Sequence, residues 1–397
     1  MVLLNNVALR VLHVVDDFST TNTGVTSTVR QLTQWQAKHC DWVGVHTTGE
    51  IDLPDPEGVQ LVRTAAHPMT PFWRWPITGL HGLLEVIDTN LVTHVHIHEF
   101  WRGAYIAGIL AARRRNLPVI LSAHGSTAPW ALYGQGRFKG WKKSLYWQLF
   151  GRFFLPADVV LHAITPLEAF HIEDFFGREP RAVIPNALSM GAVTEGAGGA
   201  VPARRFVFLG RLHPVKGVDL LIEAFGNAHL DDDWELVIAG PEEVPAYVAQ
   251  LKALAAASPR AMRIRFAGPL YGSEKTSLLQ SAWAVVVPSR TEVMGMVNLE
   301  SASLATPSIT TPNTGLDEWA RIGGMLVADN VVALQDALQV CSAWSQQERL
   351  QRGYESRRYV LQRYSLEAVG QQWLQLYQST VATAAHACMQ TATRTRR

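Results

Sequence analysis

The stretch "AVVVPSRTEVMGMVNLESASLATPSITTP" (residues 284–312) reads as one strand–loop–helix–strand unit. The run "AVVVP" has the β-branched composition of a buried strand. Gly295 opens a helix over "MVNLESASLA", and "SITTP" supplies the next strand. Parallel strands need a crossover of this kind. The unit also carries two carboxylates eight residues apart, Glu292 in the loop and Glu300 on the helix.

The same rhythm runs through the chain. Before it come the strand "RFVFLG", a helix from Val218, the strand "ELVIAGP", a helix over "AYVAQLKALAAAS", the strand "RIRFAGP" and a helix over "EKTSLLQSA". The first half shows the strands "RVLHVVDD", "DWVGVHTT", "VTHVHIHEF", "PVILSAHG", "VVLHAIT" and "RAVIPNAL", with helical patterns over "VTSTVRQLTQWQAKH" and "AYIAGILAARRRN". Alternation of this kind predicts an α/β chain of two Rossmann-like parallel-sheet domains facing a central cleft. The domain boundaries read as 1–190 for an N-terminal domain, 191–204 for a Gly- and Ala-rich linker, and 205–362 for a C-terminal domain. A helix over 363–383 follows, then a frayed tail over 384–397.

Composition narrows the function classes. A length of 397 residues exceeds one ordinary core. With 48% hydrophobic and 17% charged residues the chain is globular, and a formal net charge of +1 gives no global bias toward nucleic acid. Cys40, Cys341 and Cys388 are odd in number and far apart, so they signal neither a disulfide framework nor a zinc motif. No secretion signal and no apolar run of roughly 18 residues is legible, so the reading is a cytoplasmic protein.

Two loops carry the chemistry. In "RFVFLGRLHPVKGVDLLIEAF" (205–225) a strand ends at Gly210, and Arg211 and Lys216 stand before a helix that Gly217 lets start tightly. Two cations at a helix N-terminus form an anion site. In the opening stretch, backbone N–H groups at Gly295, Met296 and Val297 are placed for a phosphate or a sugar hydroxyl. Ionised carboxylates only accept hydrogen bonds, so Glu292 and Glu300 suit hydroxyl donors. Taken singly, each has a plain alternative: solvated loop cations, a helix-terminal charge, a surface helix position.

Together, "GRLHPVKG" and "PSRTEVMGMVNLESASLATPSI" resemble glycosyltransferase family 4, retaining enzymes of the GT-B fold that use nucleotide sugars. The resemblance implies that Arg211 and Lys216 hold the donor diphosphate, Glu292 meets hydroxyls of the donor sugar, and Glu300 accepts from the ribose. It implies that backbone of "FAGPL" (266–270), including Gly268 and Leu270, meets the nucleobase, and that "ELVIAGP" with Gly240 also fits the family. His124 of "SAHG" would lie near the donor's anomeric centre. The set expected to be catalytic is therefore His124, Arg211, Lys216 and Glu292. Expected binding positions are Gly24, His98, Gly210, Gly240, Gly268, Leu270, Gly295, Met296, Val297 and Glu300. The chain departs from the family pattern at "TGVTSTVRQL", where Gly24 stands alone before Val25, and at "IPNAL", where Ala187 and Ser189 replace Gly and Asp.

The histidines of "HVHIHEF" invite a zinc reading, but positions two apart on a straight strand are too spread to meet one ion easily. No metal and no cofactor are assigned. The donor is expected to be UDP- or GDP-linked. His98 or Glu99 is placed to face the acceptor. The segment "GRFKGWKKSLYWQLFGRFF" (136–154) interleaves bases with aromatics. It reads either as an interfacial helix on an anionic membrane or as a core-facing helix with a solvated basic face, and no motif supports nucleic acid. "HGSTAPWAL" (124–132) with "WKKSLYW" (141–147) resembles a subset of the family from bacterial exopolysaccharide and lipopolysaccharide pathways. That implies a saccharide or lipid-linked saccharide acceptor and a peripheral place on the cytoplasmic face of the inner membrane. The rival classes are a related GT-B epimerase or phosphorylase, and a non-catalytic sugar-nucleotide sensor.

Overall fold

The computed structural model describes residues 8–19, 23–49, 54–64, 77–101, 103–134, 137–188 and 202–394. Residues 191–201 of the expected linker lie outside them. The chain divides into two compact units, 1–187 with 366–397, and 188–365.

The first unit is built on a seven-stranded, all-parallel sheet: β1 (Arg10–Val15), β2 (Trp42–Thr47), β3 (Gln60–Arg63), β4 (His94–His98), β5 (Val119–Ser122), β6 (Val160–Ala163) and β7 (Ala182–Val183). Their spatial order is β3-β2-β1-β4-β5-β6-β7. The strands β4, β5 and β6 are buried at every position, as strands covered on both faces must be. Leu12, Val14, Val95, Ile97 and Leu121 fill one side of the sheet with the helix Gly103–Arg114. Val11, Ile120, Val160, Val369, Trp373 and Tyr377 fill another cluster. The last three come from the helix Leu366–Arg394, so this unit's core is completed by the end of the chain. That helix continues into the segment read above as a tail. Trp35 donates to Glu367 at 2.8 Å, and a side chain on Gly370 would collide with the Trp35 ring.

The second unit repeats the design with six parallel strands: β8 (Arg205–Leu209), β9 (Glu235–Ala239), β10 (Ile264–Gly268), β11 (Ala284–Val287), β12 (Ser308–Thr310) and β13 (Met325–Leu326). Their order is β10-β9-β8-β11-β12-β13. The helices Val218–Asn227, Pro245–Ala257, Gly272–Ser281 and Met296–Ser303 fall where the apolar periodicity put them. Strands β3 and β13 and the helix Ile77–Thr89 were not read from the sequence; the two strands are only four and two residues long.

In each sheet the strand order reverses once, between β1 and β4 and between β8 and β11. Such switch points are where open parallel sheets leave a crevice at their carboxyl ends. The loops after β8 and β11 carry Arg211, Lys216 and Glu292. At the neighbouring strand ends, Gly210 N–H donates to Ala239 O at 3.0 Å and Gly240 N–H to Gly268 O at 2.8 Å. Gly240 has a φ of 145°, and a Cβ there would run into the carbonyl of Gly210. Gly240→Ala is therefore expected to cost more than about 2 kcal/mol. Urea unfolding of the variant measures this, and an unchanged midpoint would refute the close packing of these strand ends.

Candidate active site

Lys216 and Glu292 meet across the second unit's switch point, Nζ to Oε1 at 2.8 Å, with only 18% and 13% of their side chains exposed. Each is held by its own loop. After β8, His213 Nδ1 accepts the Val215 N–H and caps the short turn Pro214–Lys216, which ends on Gly217 at a φ of 66°. A Cβ on Gly217 would strike the Pro288 carbonyl, so glycine is what lets the two loops close on each other. Arg290 N–H donates to Val215 O at 2.8 Å and ties them together. The Arg290 guanidinium grips both oxygens of Asp219, and Tyr247 donates to Asp219 at 2.6 Å. After β11, Ser289 Oγ donates to Glu292 Oε1 at 2.5 Å, and Glu292 N–H donates to Asn313 O at 2.9 Å.

Arg211 stands at the end of β8 but points to Glu243, at 2.6 Å, and is half exposed. An exposed pair of this kind contributes roughly 0–1 kcal/mol, so an anion that offers more can take the guanidinium from it. Glu300, on the helix Met296–Ser303, accepts from Lys275 at 2.7 Å through Oε1. Its Oε2 is buried and has no hydrogen-bond partner. A buried unpartnered carboxylate oxygen is costly, and a hydroxyl donor would relieve it. The helix is seated by Asn298, which donates to Thr310 Oγ1 at 3.1 Å and accepts from Ser308 at 2.7 Å.

The backbone donors read at the start of this helix are corrected by the structure. Gly295 N–H is given to Thr314 O, on the turn Pro312–Thr314, and Met296 N–H to the nearby Met294 O, both at 2.9 Å. Val297 begins the helix beside them, and its side chain packs on the apolar cluster under Leu278 and Val285. Leu270 joins that cluster, while Gly268 ends β10 at a φ of 73° with open space where a Cβ would stand.

In the first unit, His124 follows β5 at a φ of 50°. Glu168 holds this turn: its carboxylate accepts from Gly125 N–H at 2.5 Å and from Ile164 N–H at 2.6 Å. Glu168 lies on the helix Pro166–Phe176, which Thr165 caps by accepting from Glu168 N–H. His124 Nε2 lies 2.8 Å from His98 Nδ1. His98 is corrected from an acceptor contact to an interior link, since it is 3% exposed and both its ring nitrogens are engaged. Gly24 lies exposed in the first turn of the helix Thr23–Gln36, with open space where a Cβ would stand.

The histidines converge more than strand spacing implied, because His13 on the neighbouring β1 pairs with His96 in register. Ligand atoms of His13, His96 and His98 lie within 4.8 Å of one another. Yet all six of their ring nitrogens already have hydrogen-bond partners, so no lone pairs converge on an ion. The segment 137–154 forms the helix Arg137–Tyr146, one π-helical turn Trp147–Gly151 and a last turn Arg152–Phe154. Tyr146, Trp147 and Phe154 pack on the core, whereas Trp141, Leu145, Leu149 and Phe153 are 59, 40, 54 and 68% exposed. Sequence reading missed Arg290, Asp219, Tyr247, Lys275, Glu168, Gln36 and Tyr377, which act through neighbours distant in sequence.

The model for "Glycosyl transferase 4-like domain" matches residues 23–187, and that for "Glycosyl transferases group 1" matches 203–342. The chain is similar to D-inositol 3-phosphate glycosyltransferase of Geodermatophilus obscurus, at 31% identity over 45% of this chain and 45% of that protein. Its likeness to the protein of that name from Kineococcus radiotolerans is 27% over 69% and 70%. The chain thus spans about half the length of the first of these relatives. Anabaena HepE in complex with UDP-glucose shares the fold at a TM-score of 0.72, with 14% identity over 94% of this chain and all of that one.

Burial makes the first unit acid-sensitive. Loss of hydration lowers His13, His46, His94 and His162 from 6.5 to about 4 and His124 to about 3, and puts His96 and His98 well below 6.5. A lowered imidazole contributes stability above 6.5 that is lost as pH falls toward its folded value, where only the unfolded chain binds the proton. Glu168 acts oppositely: burial raises it to about 7 against the two N–H donors, so its share is lost as pH rises. Seven groups outweigh one. Thermal unfolding should show Tm dropping steeply between pH 6.5 and 4, and a flat profile would contradict neutral interior imidazoles. By matched family models, sheet order and fold, the chain belongs to glycosyltransferase family 4, with the GT-B fold.

Proposed function

We propose that the protein transfers a sugar from a nucleotide diphospho-sugar to an acceptor hydroxyl, with retention at the anomeric carbon. The observation that carries this reading is the Lys216–Glu292 pair at the second unit's switch point, flanked by Arg211 and Glu300. The diphosphate takes Lys216 and Arg211, whose charges stabilise the leaving group. Glu292, freed from Lys216, accepts from sugar hydroxyls, and Glu300 Oε2 accepts from the ribose. The departing phosphate oxygen assists deprotonation of the acceptor, since no protein nucleophile is assigned. The HepE structure holds UDP-glucose, which favours a UDP-linked donor.

Thermal shift with UDP, GDP, ADP and CMP tests the donor site. One diphosphate at about 100 times its dissociation constant should stabilise the fold by roughly 2.7 kcal/mol. Lys216→Ala should abolish that shift, and no shift with any nucleotide would remove the donor reading. Turnover should survive EDTA, because the side chains supply the cationic charge; loss restored by a divalent ion would overturn that part. Proton NMR of the product reads the anomeric configuration.

The acceptor proposed is a lipid-linked saccharide at an anionic membrane surface. The support is the exposed stripe Trp141, Leu145, Leu149 and Phe153, flanked by exposed Lys142 and Arg152. No helix among the described residues is long and apolar enough to cross a membrane. Sedimentation with phosphatidylglycerol vesicles should exceed that with phosphatidylcholine and fall several-fold in Trp141→Ser/Phe153→Ser. Equal recovery in both lipids would favour instead an inositol phosphate acceptor, the compound in the two relatives' names.

A further inference from the structure

A continuous chain of hydrogen bonds runs through the first unit from half-buried His124 to a backbone carbonyl. His124 Nε2 meets His98 Nδ1 at 2.8 Å, and His98 Nε2 meets His13 Nδ1 at 2.9 Å. His13 Nε2 meets Gln36 Oε1 at 2.7 Å, and Gln36 Nε2 meets the Tyr377 hydroxyl at 3.1 Å. Tyr377 meets His96 Nδ1 at 2.9 Å, and His96 Nε2 meets Ser122 Oγ at 2.8 Å. Ser122 meets His162 Nδ1, and His162 Nε2 meets Ile184 O, both at 2.8 Å.

The last link sets the direction of all the others. A carbonyl only accepts, so His162 Nε2 carries its proton. Burial keeps the five imidazoles neutral, each with one N–H. His162 Nδ1 therefore accepts the Ser122 proton, and Ser122 Oγ accepts from His96 Nε2–H. His96 Nδ1 then takes the single proton of Tyr377, whose oxygen must accept from the Gln36 amide nitrogen. That turns Gln36 Oε1 toward His13 Nε2–H, which is the orientation found. His13 Nδ1 accepts from His98 Nε2–H, and His98 Nδ1 accepts from His124 Nε2–H. Reversing the amide would oppose Gln36 Oε1 to a tyrosine oxygen with no proton left to give. His124 Nδ1 is left as a bare lone pair, with no hydrogen-bond partner among the described residues.

We propose that Gln36, Tyr377 and the four interior histidines are positioning residues that hold His124 as its Nε2–H tautomer and leave its Nδ1 lone pair as an acceptor at the carboxyl end of the first unit's sheet. A histidine at this place could otherwise carry its proton on either nitrogen.

Side-chain nitrogen NMR of the ligand-free protein with 15N-labelled histidine tests the assignment, with His124 identified by the signals lost in His124→Gln. The expected spectrum has His124 Nδ1 unprotonated and Nε2 protonated. Tyr377→Phe removes the hydroxyl that orients Gln36, and His124 should then show both tautomers; Gln36→Leu serves if that variant does not fold. An Nδ1–H His124 in the wild type, or a tautomer unmoved in folded variants, overturns the proposal.

Discussion

Between β8 and β11 the strand order of the second sheet turns outward in both directions. Right-handed crossovers then send the following helices to opposite faces, so the two loops leave their backbone ends facing one another. The Lys216–Glu292 contact closes that gap in the free protein. It neutralises two partly buried charges that would otherwise be costly to leave alone. The remaining features of the site serve this contact: Gly217 lets the loops approach, Arg290 binds one loop to the other, and Ser289 orients the carboxylate. In the proposed function this pair exchanges partners, a diphosphate offering the lysine more charge and sugar hydroxyls satisfying the glutamate.

The first unit depends on a different constraint. Its sheet buries polar histidines on β1, β4 and β6, and each must find a partner in the interior. The helix Leu366–Arg394 supplies what the sheet lacks. Trp373 lies 4.7 Å from His96 and 4.5 Å from His162, and Tyr377 bridges His96 to Gln36. The end of the chain is thus part of the hydrogen-bond bookkeeping around His124, and the fold of this unit and the state of that histidine are one problem.

Much of this was legible in the sequence. Short β-branched runs alternating with helical periods gave the α/β class, and the spacings of Arg211 with Lys216 and of Glu292 with Glu300 placed the charged groups on loops and a helix at strand ends. Local pattern carries that information because strand, loop and helix are contiguous. What was not legible came from register and long-range approach. His13 reaches His98 across 85 residues and Tyr377 reaches Gln36 across 341, which no local periodicity encodes. The N–H groups of Gly295 and Met296 look free in the local sequence, which does not show that the Thr314 carbonyl reaches Gly295 from a later turn and that the Met294 carbonyl folds back on Met296. Likewise the segment 137–154 divides its aromatics between core and surface, so neither reading of its composition alone describes it.

The most direct measurement is a crystal structure of the protein soaked with a nucleoside diphosphate that stabilises it. The account predicts phosphate oxygens within hydrogen-bond distance of Lys216 and Arg211, Arg211 released from Glu243, and a ribose hydroxyl on Glu300 Oε2. A nucleotide bound elsewhere, with the Lys216–Glu292 and Arg211–Glu243 pairs intact, would contradict it.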